Sequence, residues 1–307
     1  MQIRGQFSTF FNETMAPALN AKVWQTFNPK KPMAKLLLDG MTTTRSIEQF
    51  SQVAGVGLPS LVPEGADTPT DYFVQGYLRT FKPVKYGLGV PASKEFVEDD
   101  KFGIISKRAV ALAESIFQAR EIQAASVFNN AFDTTNFPGS DLVALISASH
   151  PLIKAGGVQS NLLAVAADLD VASLEIGLTD WRLIKDHRGF LQRNSKPRLV
   201  VAAQNEWNSI EILKSNMRSD TANHTTNAFQ YGQNGTPECL VWDYLTDPDA
   251  WFLAAQPAET GMVWLDRKAP YTNTDYNEKA ESGTVYLRYR ADYGFYSWTG
   301  MYGTPGA

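Results

Sequence analysis

From Lys101 to Ala131 the chain has no proline, and its only glycine, Gly103, stands near the beginning. Ile105, Ala109, Leu112, Ile116 and Ala119 recur there at the spacing of one helical face, while Arg108, Glu114, Arg120 and Glu121 are placed to meet water. Asp99-Asp100 supplies an acidic start for the helix. At ~1.5 Å per residue this rod is roughly 40 Å long, far beyond the ~11–12 residues of an average globular helix. No other segment constrains the fold as strongly.

Around it the signals are mixed. Residues 1 to about 50 carry Phe7, Phe10, Phe11, Trp24 and Phe27 without a sustained period, broken by Pro17, Pro29 and Pro32. This reads as an extended arm that needs another surface to bury it, with an ordinary N-terminal helix and turn as the alternative. Two β-type runs follow a Gly/Pro-rich stretch. One is 71–81, alternating around Tyr72, Val74 and Leu78; the other is 84–90, with Val84, Tyr86, Leu88 and Val90 on one face. Lys82-Pro83 punctuates them, and together they predict a long two-stranded loop standing away from a core and needing a neighbour's support.

A second helix is expected from Asp170 to about His187, with Val171, Leu174, Leu178 and Trp181 inward and Gly189 ending it. Arg198–Ala203 reads as a buried strand, and Asn205 as the cap of a third helix through Trp207, Ile210, Leu213 and Met217. Residues 219–237 are Asn/Thr/Gly-rich and read as a surface loop. The last seventy residues are β-rich, and Val285, Leu287, Tyr289 and Ala291 alternate with Tyr286, Arg288 and Arg290. Strands scattered irregularly between helices give an α+β class, and the length of 307 residues suggests about two domains. The 44% hydrophobic content, with 7 Trp, 12 Tyr and 17 Phe, supplies a sizeable core or extensive interfaces.

Motifs of chemistry are scarce. His150, His187 and His224 are far apart in sequence and belong to no zinc-type helix; each reads as a surface or satisfied core histidine. There is no nucleophile elbow, no phosphate-cradling loop and no dinucleotide fingerprint. The carboxylate pairs Asp99/Asp100, Asp168/Asp170 and Asp247/Asp249 are explained by caps and a turn. The single cysteine, Cys239, excludes an intrachain disulfide and reads as an inert thiol. A net charge of −4 without a basic run argues against intrinsic nucleic-acid recognition. No apolar stretch approaches the ~20 residues of a membrane span, and no secretory leader is recognised, so a soluble protein of the cytosol is expected.

Four segments nevertheless resemble one family. They are Phe96-Val-Glu-Asp-Asp100 leading into the long helix; Asp141–His150 with Gly156-Gly157 and Ser160-Asn161; Lys196–Ala203 with the Asn205–Ser215 helix; and Tyr244–Leu253 with Tyr296–Gly303. Taken in order, they resemble the major capsid proteins of tailed bacteriophages, the HK97-like fold, over about residues 50–305. Leu142 stands where many relatives have a glycine, and no long charged helical segment precedes the arm.

The resemblance implies an α+β fold with an N-terminal arm (1–52), an extended β-hairpin loop (53–93), and a peripheral domain (94–160 and 258–307) containing the spine helix 101–131. It also implies an axial domain (161–257). It implies a structural, non-enzymatic subunit without cofactor, metal or catalytic residues, which self-assembles into pentamers and hexamers enclosing double-stranded DNA without reading its sequence. Scaffolding, portal and decoration proteins would be separate chains. The product would be a virion capsid, assembled in the host cytoplasm with no membrane involved. The arm would lie over a neighbouring subunit, and the 58–90 loop would change its angle between environments while the helix stays rigid. An encapsulin-like compartment is the alternative within the fold, and a stand-alone hydrolase using His150 or His187 the alternative outside it. One branch of the family joins a loop lysine to a neighbour's asparagine. Lys82, Lys85, Asn273 and Asn277, with Glu278 and Glu281, are the ingredients here, but 271–279 is polar throughout and reads as a solvated loop, so no cross-link is expected.

Overall fold

A computed structural model describes residues 4–28, 30–99, 103–217, 226–230 and 237–307. The chain begins with α1 (Arg4–Phe10), a π-helical turn (Phe11–Met15) and α2 (Ala16–Phe27), which run on from one another. Next come β1 (Asp39–Thr42), β2 (Glu48–Ala54), β3 (Val74–Phe81), β4 (Val84–Ser93), the short α3 (Lys94–Glu98) and the long α4 (Ile104–Asn129). The two-residue strands β5 (His150–Pro151) and β6 (Val158–Gln159) lie in a turn-rich stretch. They are followed by α5 (Val171–Leu183), β7 (Arg198–Val201), α6 (Glu206–Lys214), β8 (Glu238–Val241) and β9 (Trp251–Ala254). The chain finishes with α7 (Pro257–Thr260), β10 (Met262–Asn277), β11 (Ser282–Phe295) and β12 (Met301–Thr304).

Two four-stranded sheets organise these elements. The first has the order β1-β10-β11-β4, with only β1 parallel to its neighbour; the second has the order β12-β9-β7-β8, with β7 and β8 parallel. The alternation of β11 does what its sequence requires: Val285, Leu287, Tyr289 and Ala291 are buried. Leu287, Tyr289 and Ala291 share a core with Ala109, Leu112, Ala113 and Ile116 of α4 and Val23 of α2. The other half of α4 serves a different core. Ala124, Ala125, Val127 and Phe128 pack with Leu199, Val200 and Val201 of β7, Trp251 and Phe252 of β9, and Trp242, Trp264 and Trp298.

Arg120 and Glu121 sit where the two cores meet, and both are buried rather than water-facing as their sequence neighbourhood suggested. The helix is enclosed on two sides at this level, so no solvent face is left for them. Arg120 Nη2 donates to both Asp266 carboxylate oxygens at 2.8 and 2.7 Å, and its guanidinium lies 4.5 Å from the Trp264 ring centroid. Glu121 Oε2 accepts from Trp242 Nε1 at 3.1 Å, and burial pushes its carboxyl above the ordinary carboxylate range.

Several other expectations are corrected. Residues 4–27 are helical, not an extended arm, and Phe11 and Val23 are completely buried within their own subunit. The π turn adds a residue to one helical revolution and so moves the aromatics off a single 3.6-residue period. The runs 71–81 and 84–90 do not pair with each other. β3 pairs antiparallel with β2, and β4 pairs with β11 over Val84–Ser93. Pro83 cannot supply the positive φ that a tight two-residue hairpin turn needs, and each run has a partner elsewhere. The extended hairpin is therefore β2 and β3, with 55–73 as its tip.

Asp99 ends α3, whose cap is the Ser93 hydroxyl, while Gly103 at φ 63° precedes α4; Asp100 lies outside the described residues. Asp170 caps α5 with a reciprocal Ser173 contact as expected, but the helix stops at Leu183. α6 stops at Lys214, short of Met217; its Ser209, Ile212 and Leu213 face inward, and Trp207 and Met217 are exposed. Residues 271–277 are strand, not loop: past two bulges β10 pairs with β11 down to Asn277 opposite Ser282, with Tyr276 packed against Phe11 and exposed polar side chains at Asn273, Asp275 and Asn277. Strand 301–304, expected with the peripheral segment, pairs with β9 in the second sheet. Most of 219–237 lies outside the described residues.

Two outcomes follow from this packing. Ile116→Asp puts an unpaired carboxylate in the first core at a cost of several kcal/mol, against the ~5–15 kcal/mol that holds a domain. The variant is expected only in the insoluble fraction, and soluble Ile116→Asp with a wild-type circular-dichroism spectrum would show the wrong face was assigned. Leu142 is exposed and holds φ 62°, a conformation that costs a side-chain-bearing residue about 1 kcal/mol. Leu142→Gly relieves this and is expected to raise the thermal midpoint by about 1–3 °C; an unchanged or lower midpoint would contradict it.

Candidate assembly surfaces

The β2–β3 hairpin is fixed at its base. Phe50 stacks on Tyr296 at 5.3 Å and meets Phe81 edge-on at 5.4 Å, and Gln52 Nε2 donates to the Tyr296 carbonyl. Higher up, Arg79 donates to the Pro138 carbonyl at 2.7 Å, and Gly76 lies directly on the Ile153 side chain. A clamp closes the root of the tip. Arg188 Nη1 lies 2.6 Å from Asp71 Oδ2, Arg188 Nη2 donates to the Tyr72 carbonyl, and the Gly57 N–H donates to the same carboxylate oxygen at 2.8 Å. The Gly57 N–H first, and the guanidinium second, hold the Asp71 carboxyl down to about 2. It is thus charged at neutral and mildly acid pH, and the clamp's contribution is lost only as pH falls through that value.

Beyond the clamp the tip is bare. Val56, Leu58, Leu61, Tyr72 and Phe73 are exposed, Leu61 to 94%. β4 is the edge of the first sheet and presents Val84, Tyr86 and Leu88 to solvent. Trp207 is 76% exposed on α6, and Ile176 and Leu183 are exposed on α5. A monomeric soluble protein rarely leaves such surface uncovered on separate faces. Composition showed an excess of aromatics but could not say which would stay outside.

The groups considered for chemistry are placed otherwise. His150 is wholly buried, stacked on Trp298 at 4.4 Å. Its Nδ1 is 2.8 Å from Asp141 Oδ2, which is the aspartate–histidine half of a catalytic triad. However, Nε2 faces Asn161 Oδ1 at 3.1 Å, where a triad would hold a nucleophilic hydroxyl. Asn161 is itself tied to the Leu145 and Met301 carbonyls and the Ser147 N–H. The network ties the turn-rich segment 141–161 to β12 and has no opening for a substrate. His187 packs edge-on to the other side of the same cluster at Trp298, and burial lowers its pKa. His224 lies outside the described residues.

Asp170 is consumed as a cap and Asp247 accepts from the Asp249 N–H. Burial raises the Cys239 thiol, which donates to Ser209 Oγ. Among the described residues no group of three or more His, Cys, Asp or Glu is placed to hold a metal ion, and no helix is long and apolar enough to cross a membrane. Of the cross-linking candidates, Lys85 stands opposite Arg290 at one end of the first sheet and Asn277 opposite Ser282 at the other. Asn273 faces Tyr286, and Glu281 pairs with Lys94 at 3.6 Å.

The sequence matches the phage capsid protein family over residues 77–303. No curated protein matches it. Solved structures of similar fold include the capsid of a native GTA particle, at 12% identity and TM-score 0.58, covering 91% of this chain and 91% of that chain. The capsid of the cyanophage P-SCSP1u is 9% identical at TM-score 0.58, covering 91% and 89%. A virus-like particle from Pyrococcus furiosus is 6% identical at TM-score 0.59, covering 95% and 99%. At such identities the likeness is one of fold, and the family match supplies the kinship: the chain belongs to the phage capsid protein family and has the HK97-like fold of tailed-phage major capsid proteins.

Proposed function

We propose that this structural subunit of an icosahedral capsid assembles into pentamers and hexamers that close around double-stranded DNA, performing no catalysis and using no cofactor. The observation that carries the reading is the contrast between finished cores and unfinished surfaces. Trp242, Trp251, Trp264, Trp298, Tyr289 and Tyr302 are fully buried, while the hairpin tip and the β4 edge leave Tyr72, Phe73 and Tyr86 in water. Burial of one large apolar side chain stabilises by ~1.5–3 kcal/mol, so a neighbouring copy gains much by covering the tip. Heterologous contacts of this kind close into rings.

In this reading the first sheet with α2 and α4 is the peripheral domain, and the second sheet with α5 and α6 the axial domain. The hairpin swings about its glycines while α4 stays straight. The net charge of −4 suits a wall that must not grip its contents tightly. Scaffolding, portal and decoration proteins are the expected partners, and the host cytoplasm the place of assembly.

Sedimentation and negative-stain imaging of the expressed protein, alone and with a co-expressed scaffold, test the reading. Closed megadalton shells are expected, and a persistent monomer at high concentration with scaffold present would refute it. The lysine and asparagine candidates Lys82, Lys85, Asn273 and Asn277 are exposed, without the dry pocket that isopeptide formation needs. Purified shells boiled in detergent should therefore release a single 34.0 kDa band, and a ladder of larger species that survives boiling would reveal cross-links.

A further inference from the structure

The turn 184–192 supports the hairpin from outside. The Asp186 N–H donates to the Phe190 carbonyl at 2.7 Å and the Gln192 N–H to the Ile184 carbonyl at 2.8 Å, so residues 187–189 are presented from a tight turn. From it Arg188 clamps Asp71 and Tyr72. The His187 carbonyl accepts from the Lys154 and Ala155 N–H groups at 2.9 and 3.1 Å, which fixes the neighbouring turn that carries Ile153 beneath Gly76. Two of the hairpin's contacts above its aromatic base therefore run through His187 and the residue after it. Only the Arg79 bond to the Pro138 carbonyl is made elsewhere.

The His187 imidazole is 6% exposed and meets the Trp298 ring edge-on, at 6.0 Å between centroids. Its Nδ1 and Nε2 are both buried, and neither has a hydrogen-bond partner among the described residues. A protonated ring here would bury a charge with two N–H groups and no acceptor for either. The titratable groups that bear on it are Asp186 on its own turn, and Asp141 and His150 from the segment across Trp298. Asp186 Oδ1 already accepts from the Arg188 and Phe190 N–H groups at 2.9 Å, and Asp141 Oδ2 lies 2.8 Å from His150 Nδ1. Lys154, Lys185 and Arg188 add positive charge to the two turns. Burial opposes protonation of His187 more strongly than the two carboxylates favour it.

We propose that His187 is a proton-operated latch on the hairpin of its own subunit: with the imidazole neutral the turn 184–192 stays closed, and uptake of one proton opens it, freeing Asp71 from Arg188 and Gly76 from Ile153 together. The direction follows from burial. Above pH ~6.5 the ring is neutral whether the latch is open or closed, and the closed form keeps its full stability. As pH falls below that value only the open form takes up the proton, and the closed form loses ground. Asp71 is held down to about 2, so the clamp's own carboxylate does not titrate in this window. The latch lies within one chain and is independent of the capsid-subunit reading.

Hydrogen–deuterium exchange of the full-length subunit at pH 7.5 and pH 5, corrected for the intrinsic pH dependence of amide exchange, tests the latch. The reporters are the Gly57 amide, bonded to Asp71, and the Lys154 and Ala155 amides, bonded to the His187 carbonyl. An imidazole that titrates near 6.5 once released raises opening at pH 5 by roughly ten- to thirty-fold at all three, with protection in α4 and β11 unchanged. His187→Phe keeps a ring against Trp298 but cannot take up a proton, and is expected to show the same protection at both pH values. His187→Gln, neutral and smaller, replaces it should the ring variant fail to fold. Arg188→Ala is expected to free the Gly57 amide at both pH values, while Lys154 and Ala155 keep their acid response. A wild-type chain that does not change between pH 7.5 and pH 5 overturns the proposal. So does an acid response that persists in the His187 variants, which would assign it to His150 or Asp141, and so does a loss of protection that extends to α4 and β11, which would be acid unfolding of the whole subunit.

Discussion

The structure depends on one helix being shared by two cores. Ile116 and its neighbours close the core of the first sheet, while Phe128, three turns further on, is fully enclosed by the second. Between them, α4 carries a buried arginine and a buried glutamate on consecutive residues. Each engages a different partner: Asp266 from β10 for the arginine, the Trp242 indole for the glutamate. Separating such partners would strand a charge in a dry environment, which costs several kcal/mol. The two sheets are thus held in one relative placement by electrostatics as well as by apolar contact.

Against this rigid frame the hairpin is held lightly. Its base rests on three rings, the Gln52 and Arg79 hydrogen bonds and the Ile153 side chain, and its tip root on one half-exposed ion pair and two hydrogen bonds. A half-exposed ion pair contributes little and yields to salt. The subunit therefore joins a tightly packed part to a tip held by few contacts, a division that suits the proposed assembly.

The sequence disclosed the elements whose residues answer only to their own periodicity. The alternation at Val285, Leu287, Tyr289 and Ala291 and the stripe through Leu112 and Ile116 were legible because one face meets the core and the other does not. Legibility failed where tertiary context decides. Arg120 and Glu121 look solvated until a second core is placed against the same helix. β3 and β4 look like partners because they are adjacent, yet β3 pairs with β2 and β4 with β11. The aromatics of residues 4–27 hide a helix because a π turn breaks their period. The surroundings of His187 were invisible because three segments far apart in sequence create them only once they are packed together. The assembly surfaces had a family resemblance to point to them, but no local pattern of their own.

The parallel pairing of β1 with β10 has a consequence in time. Asp39–Thr42 leave the ribosome early and must wait for Val263–Asp266, and the second sheet waits longer still for Met301–Thr304. At about 5–20 residues per second that delay is tens of seconds, during which neither core can be completed. The fold is rich in distant contacts and correspondingly slow to nucleate. Chains still being translated therefore lack the finished surfaces on which a neighbour could dock. Docking on those surfaces is thereby postponed by topology until residues 263–304 have emerged from the ribosome.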